Sequence, residues 1–178
     1  INKFIKTTGV EGRYSANPRQ CTSDFCFAAA EKILAEKKIP REEIGVLVFV
    51  TQTSDYRIPS TACVLQNRLG LSTSCIAFDV NLGCSGFTYG INIVGSLLMS
   101  SQTKYGLLLA GDTSARERSQ KIRRKFGHSA ELLFGDNAIS VITTDKGILP
   151  SGIPTLSHAF IAASTFTPIN GEARPISS

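Results

Sequence analysis

Four stretches of the chain are apolar almost without interruption and rich in β-branched or leucine residues: 45–52 (GVLVFVTQ), 75–81 (CIAFDVN), 105–112 (YGLLLAGD) and 138–145 (AISVITTD). Continuous rather than alternating hydrophobicity marks strands covered on both sheet faces. The first three begin at residues 45, 75 and 105, the spacing of β-α-β units, so a mostly parallel sheet packed between helices is expected. Helices fit the gaps. Residues 22–38 offer Thr22, Ser23 and Asp24 as caps, repeat Phe25, Ala29, Ile33 and Leu34 at helical spacing, and stop before Pro40. A second helix is expected to start near Pro59, whose fixed φ suits a first turn, and to run to Leu69 before Gly70. A third begins at or beside Cys84 and continues to about Ser101; its apolar residues Phe87, Ile91, Ile93, Val94, Leu97 and Leu98 cover most of the circumference, which predicts burial. On it Gly86 and Gly90 share one face and would admit another helix backbone.

Composition agrees with a globular α/β protein: 178 residues, 42% hydrophobic and 19% charged, enough for one domain with a substantial core. The expected division is a domain over 1–150 and an irregular tail or boundary segment over 151–178, where Pro, Ser and Thr gather and the strand and helix rhythm is lost. No apolar run is long enough to span a membrane and the first residues carry no apolar signal core, so a cytoplasmic protein without membrane contact is expected. The net charge of +5 is modest, but six cations, Arg116, Arg118, Lys121, Arg123, Arg124 and Lys125, crowd into RERSQKIRRK. That run is either a solvated face or a contact for an anionic partner; nucleic acid is disfavoured because no aromatic residues interleave with the charges.

Five cysteines, an odd number without a CxxC pair or a histidine cluster, argue against a disulfide framework or a zinc site. Cys84 stands apart from the other four. It lies where the 75–81 strand turns into a helix, between the small residues Gly83 and Ser85. Unpaired N–H groups and the positive end of a helix dipole at such a turn favour the thiolate, the reactive form. Position alone leaves two readings open, a nucleophile or an inert buried thiol.

DVNLGCSGFTYG (79–90) resembles the active-cysteine motif of the β-ketoacyl-acyl-carrier-protein synthase III family, thiolase-like condensing enzymes that start fatty-acid chains. Three further segments are similar to the same family in order and spacing: TTGVEGRY (7–14), SDYRIPSTACVLQNRLGL (54–71) and LLFGDNAISV (132–141). The resemblance covers residues 3 to 150 and corresponds to the first of the family's two similar halves, with the family's first strand and hairpin expected ahead of Ile1. It implies a thiolase-like half fold, Cys84 as nucleophile toward an acyl-CoA, and condensation with malonyl-acyl carrier protein in a homodimer or larger oligomer. No cofactor is implied; the CoA thioester is a substrate.

The same alignment puts Thr7 and His128 where arginines often contact CoA. It puts Ile58 where a side chain, commonly Phe, enters the acyl pocket of the dimer partner; the six-cation run is longer than the corresponding family loop and could meet an acidic carrier protein. Neither His128 nor His158 matches the motif of the family's decarboxylating histidine. The GCSGF segment separates the chain from thiolases and plant-type polyketide synthases; a non-catalytic dimerisation or acyl-binding module is the competing class. Arg13, Asp55 and Tyr56 are candidates for surface or pocket roles, and Asp136 is expected to set a turn.

Overall fold

The computed structural model describes residues 2–9, 12–101, 103–114, 136–144 and 173–175. In chain order these form α1 (Asn2–Thr8), β1 (Gly12–Tyr14), α2 (Thr22–Lys37), β2 (Ile44–Val50), α3 (Thr61–Arg68), β3 (Ile76–Val80), α4 (Gly86–Ser100), β4 (Tyr105–Asp112), β5 (Asn137–Thr144) and β6 (Ala173–Pro175). Among the described residues the main sheet has the order β3-β2-β4-β5, with β2 parallel to both β3 and β4, and β5 antiparallel to β4. The fold class is that read from the apolar runs. A second, two-stranded pairing joins β1 to β6, which lies in the segment whose sequence loses strand rhythm.

β2 is buried at every position, and the pleat sends its side chains alternately to two cores. Leu47 and Phe49 join Leu107, Leu109 and Ile142 beneath α2 and α3, which supply Ala30, Ile33, Leu34 and Leu65. Val46, Val48 and Val50 face the other way, with Leu108 and Val141, against Val94 and Leu98 of α4. A side chain such as Leu or Val contributes about 1.5–3 kcal/mol when fully buried, so these two layers are the main stabilising term. Arg41 clamps the first layer from outside: its guanidinium donates to both Glu31 carboxylate oxygens at 2.8 and 2.9 Å and to Leu69 O at 2.6 Å, holding the Glu31 carboxyl below its usual range.

Several local expectations are corrected. The N-cap of α2 is Cys21, whose N–H donates to Asp24 Oδ2 at 2.9 Å; Thr22 and Ser23 are already helical and their polar groups serve other partners. The second helix starts at Thr61 rather than at Pro59, which belongs to the preceding loop in a cis peptide. α4 buries one face only: Tyr89 is 58% and Met99 51% exposed, and Phe87, Ile91, Ile93 and Leu97 are half-buried. Its glycines meet the sheet and not another helix. A Cβ at Gly86 would stand 2.5 Å from Val50 Cγ1, and one at Gly90 2.6 Å from Leu108 Cδ1. Glycine is required at these places because the helix backbone lies directly on strand side chains.

The same close seating appears from the strand side at Gly106, where a Cβ would overlap Val94 Cγ1 and press on Thr143 and Leu98. Gly106→Ala is expected to destabilise by about 1–3 kcal/mol, the usual cost of overpacking, with part of that loss recovered when Val94→Ala is added. Urea denaturation of the two single variants and the double variant checks this; strictly additive effects would show that α4 is not seated on Gly106.

Candidate active site

Because β3, β2 and β4 are parallel, their carboxyl ends lie at one edge of the sheet, where ligands of α/β folds collect. Pairing continues one residue beyond β2, with Thr51 N–H donating to Val80 O at 3.1 Å, so the segments leaving β2 and β3 start side by side. Asp112, the last residue of β4, ties the second and third ends together. Its Oδ1 accepts from Gln52 N–H at 2.7 Å and from the Thr51 and Thr53 hydroxyls at 3.0 Å each. Thr53 Oγ1 in turn accepts from Thr113 N–H at 2.9 Å. Thr22, at the start of α2, closes the cluster: its hydroxyl donates to Thr53 O at 2.9 Å and lies 2.9 Å from the Thr113 hydroxyl. A partly buried network of this kind holds shape best when its members are satisfied, and these four threonines and one carboxylate are bonded to one another.

Cys84 follows β3 at this same edge. It occupies the turn closed by Gly86 N–H donating to Gly83 O at 2.8 Å, and it immediately precedes the N-cap Ser85 of α4. Cys84 is exposed. The turn stands at the positive end of the α4 dipole. Of the remaining thiols, Cys26 and Cys75 are buried; burial pushes the Cys26 thiol well above its usual range and that of Cys75 up to about 11, which removes both as nucleophiles near neutral pH. Cys63 is exposed but sits in α3, with its thiol 3.8 Å from Ala77 O, and Cys21 caps α2.

The loop between β2 and α3 carries Ile58, which is 90% exposed, and the exposed Tyr56. The base of this loop is pinned. Asp55 N–H donates to Thr61 Oγ1 at 3.2 Å and Asp55 Oδ1 accepts from Ser23 N–H at 3.3 Å, which gives Asp55 a structural task. Asp79, the residue before the last of β3, caps α3 from across the layer: its two oxygens accept from Thr61 N–H at 2.8 Å and Ala62 N–H at 2.7 Å. Asp136 bridges the chain after β1 to the start of β5, accepting from Ala16 N–H at 2.7 Å and donating its own N–H to Tyr14 O at 2.9 Å. Thr7 is exposed on α1 with its hydroxyl donating to Lys3 O at 2.9 Å, and Arg13 lies in β1. His128, His158 and the cations Arg116, Arg118, Lys121, Arg123, Arg124 and Lys125 lie outside the described residues.

The sequence pattern singled out Cys84 and the family resemblance Ile58, but both passed over Asp79, Gln52, Asp112, Thr51, Thr53 and Thr113. The signal for them was present as polar residues ending two apolar runs, VTQT and GDTS, and as one carboxylate inside a third, AFDVN. A charge in such a run needs a partner from another element.

Residues 78–156 match the family model of 3-oxoacyl-[acyl-carrier-protein] synthase III. Among solved structures, the chain is similar to 3-oxoacyl-(acyl-carrier protein) synthase from Burkholderia xenovorans, at 36% identity over 80% of this chain and 40% of that one, with a TM-score of 0.69. It is also similar to 3-oxoacyl-(acyl carrier protein) synthase III, FabH, from Xanthomonas oryzae, at 26% identity over 85% of this chain and 48% of that one, TM-score 0.73. A cysteine-to-serine variant of Xanthomonas campestris OleA with bound lauric acid and lauroyl-CoA matches at 26% identity over 81% of this chain and 46% of that one, TM-score 0.72. The chain thus spans less than half the length of each of these three proteins.

Removing the Asp79 carboxylate leaves the first two N–H groups of α3 without their acceptor. Asp79→Ala is expected to destabilise by about 1–2 kcal/mol, the range of a lost helix cap, and Asp79→Asn by less, because its carboxamide oxygen still accepts. Denaturant titration measures both; an Ala variant as stable as the parent would show that the cap contributes nothing.

Proposed function

We propose, from the match of residues 78–156 to the 3-oxoacyl-[acyl-carrier-protein] synthase III model and the similarity to solved condensing enzymes, that the chain is part of such an enzyme and that Cys84 is its acyl-accepting nucleophile. The observation that carries the reading is an exposed sulfur on the turn joining the carboxyl end of β3 to α4, inside the segment that matches the family. The Cys84 thiolate attacks the thioester carbonyl of an acyl-CoA. A C–S bond forms to Sγ, the carbonyl electrons move onto oxygen and return, and the bond to the CoA sulfur breaks, leaving an acyl-enzyme and CoA thiolate, which takes a proton from solvent. Backbone N–H groups at the opening of α4 are suited to stabilise the oxyanion. The bound lauroyl-CoA of the OleA relative supports a fatty acyl-CoA as donor class.

The second step, attack on this acyl group by the carbanion of a decarboxylating malonyl thioester on acyl carrier protein, is part of the same proposal. The chain spans 40% of its Burkholderia xenovorans relative, and neither His128 nor His158 has the sequence context for decarboxylation, so this step is assigned to a second half acting with this one. The proposal also takes in CoA contacts at Thr7 and His128, and docking of the acidic carrier protein on Arg116, Arg118, Lys121, Arg123, Arg124 and Lys125. Ile58 projects from its loop with 90% of its surface free, which suits a side chain that enters a second copy's acyl pocket in a homodimer. Among the described residues no helix is long and apolar enough to cross a membrane.

Incubation with acetyl-CoA and lauroyl-CoA, followed by intact-mass measurement, is expected to reveal one acyl adduct that Cys84→Ser abolishes. No adduct with any chain length, or an adduct that survives the substitution, would refute the assignment. If Ile58 borders the acyl chain, Ile58→Phe is expected to shift preference toward shorter acyl groups by about tenfold, the scale of one or two methylenes in an apolar pocket. Identical chain-length profiles for parent and variant would remove Ile58 from the pocket.

A further inference from the structure

Gln52 is the first residue beyond Thr51 at the end of β2, and its backbone is tethered by its own N–H to Asp112 Oδ1 at 2.7 Å. The residue before it is bound to β3 through Thr51 N–H and Val80 O. From this anchored position its side chain reaches Gly83, the neighbour of Cys84. A Cβ at Gly83 would stand 3.2 Å from Gln52 Nε2, 3.2 Å from Oε1 and 3.3 Å from Cδ. Three carboxamide atoms at nearly one distance mean that the amide faces the place a side chain at position 83 would take. The glycine does not carry a positive φ, so its small size and not its backbone freedom is what the contact uses.

We propose that Gln52 is a positioning residue for Cys84: its neutral carboxamide is the platform on which the 83–85 turn rests, and glycine at 83 is what lets the turn settle there. The inference rests on the reading of Cys84 as the reacting nucleophile, and it adds the element that sets where the sulfur stands. Gln52 is suited to the task because it fills the space of a glutamate without the charge. A carboxylate against the same turn would disfavour the thiolate.

The test follows cysteine alkylation by iodoacetamide across a range of pH, with peptide mapping to read each thiol separately. Cys63, exposed on α3, serves as the internal reference. Gln52→Glu is expected to slow Cys84 alkylation at neutral pH about fivefold and to move its profile to higher pH, while leaving the Cys63 profile in place. Gly83→Ala is expected to slow Cys84 to a similar degree, because the added methyl lifts the turn from the amide. Gln52→Ala combined with Gly83→Ala is expected to recover most of that loss. Equal slowing by Gly83→Ala with and without Gln52, or a parallel change in Cys84 and Cys63, would overturn the proposal. Alkylation needs no acyl donor. A coupled response without acylation by acyl-CoA would retire the donor assignment and leave the positioning role intact, and an acylated Cys84 indifferent to Gln52 would do the reverse.

Discussion

Three parallel strands that end side by side are the constraint on which everything else depends. β3 and β4 both pair with β2 in the same direction, so the chain must leave all three at one edge, and whatever follows them is brought together there. After β3 comes the turn with Cys84, after β2 come Gln52 and the Ile58 loop, and β4 ends in Asp112. One carboxylate oxygen of Asp112 then fixes the relation between two of these ends, because its three acceptor contacts come from consecutive residues beyond β2.

α4 completes the arrangement from below. It can carry Cys84 at its opening because its backbone lies flat on the sheet, with Gly86 and Gly90 against Val50 and Leu108 and with Gly106 making room for Val94. Bulk at any of these positions would push the helix away from the strands, and the turn that holds the sulfur would move with it. Packing and placement of the reactive group are in this sense the same problem.

Most of the architecture was legible in the order of residues. Strands covered on both faces must be apolar at consecutive positions, and the runs that begin at 45, 75, 105 and 138 agree with β2, β3, β4 and β5 to within a residue or two. The family resemblance, carried by motifs such as DVNLGCSGFTYG, agrees with the family match over residues 78–156. Details that depend on what an element packs against were not legible. The apolar circumference of α4 suggested full burial, yet Tyr89 and Met99 face outward, since a helix on a single sheet has only one side to cover. Gly86 and Gly90 signalled close approach but could not say whether a helix or a strand approaches. Asp79 and Asp112 act across layers on residues 17 to 61 positions away, and no local pattern announces such partners.

The fold, the turn and the sulfur meet in one observable. A crystal structure of the chain reacted with an acyl electrophile locates the modified thiol directly. Continuous density from Cys84 Sγ at the carboxyl edge, with Gly83 still seated on the Gln52 amide, is the predicted result. Density on Cys63 or Cys21 with Cys84 unmodified would contradict the account.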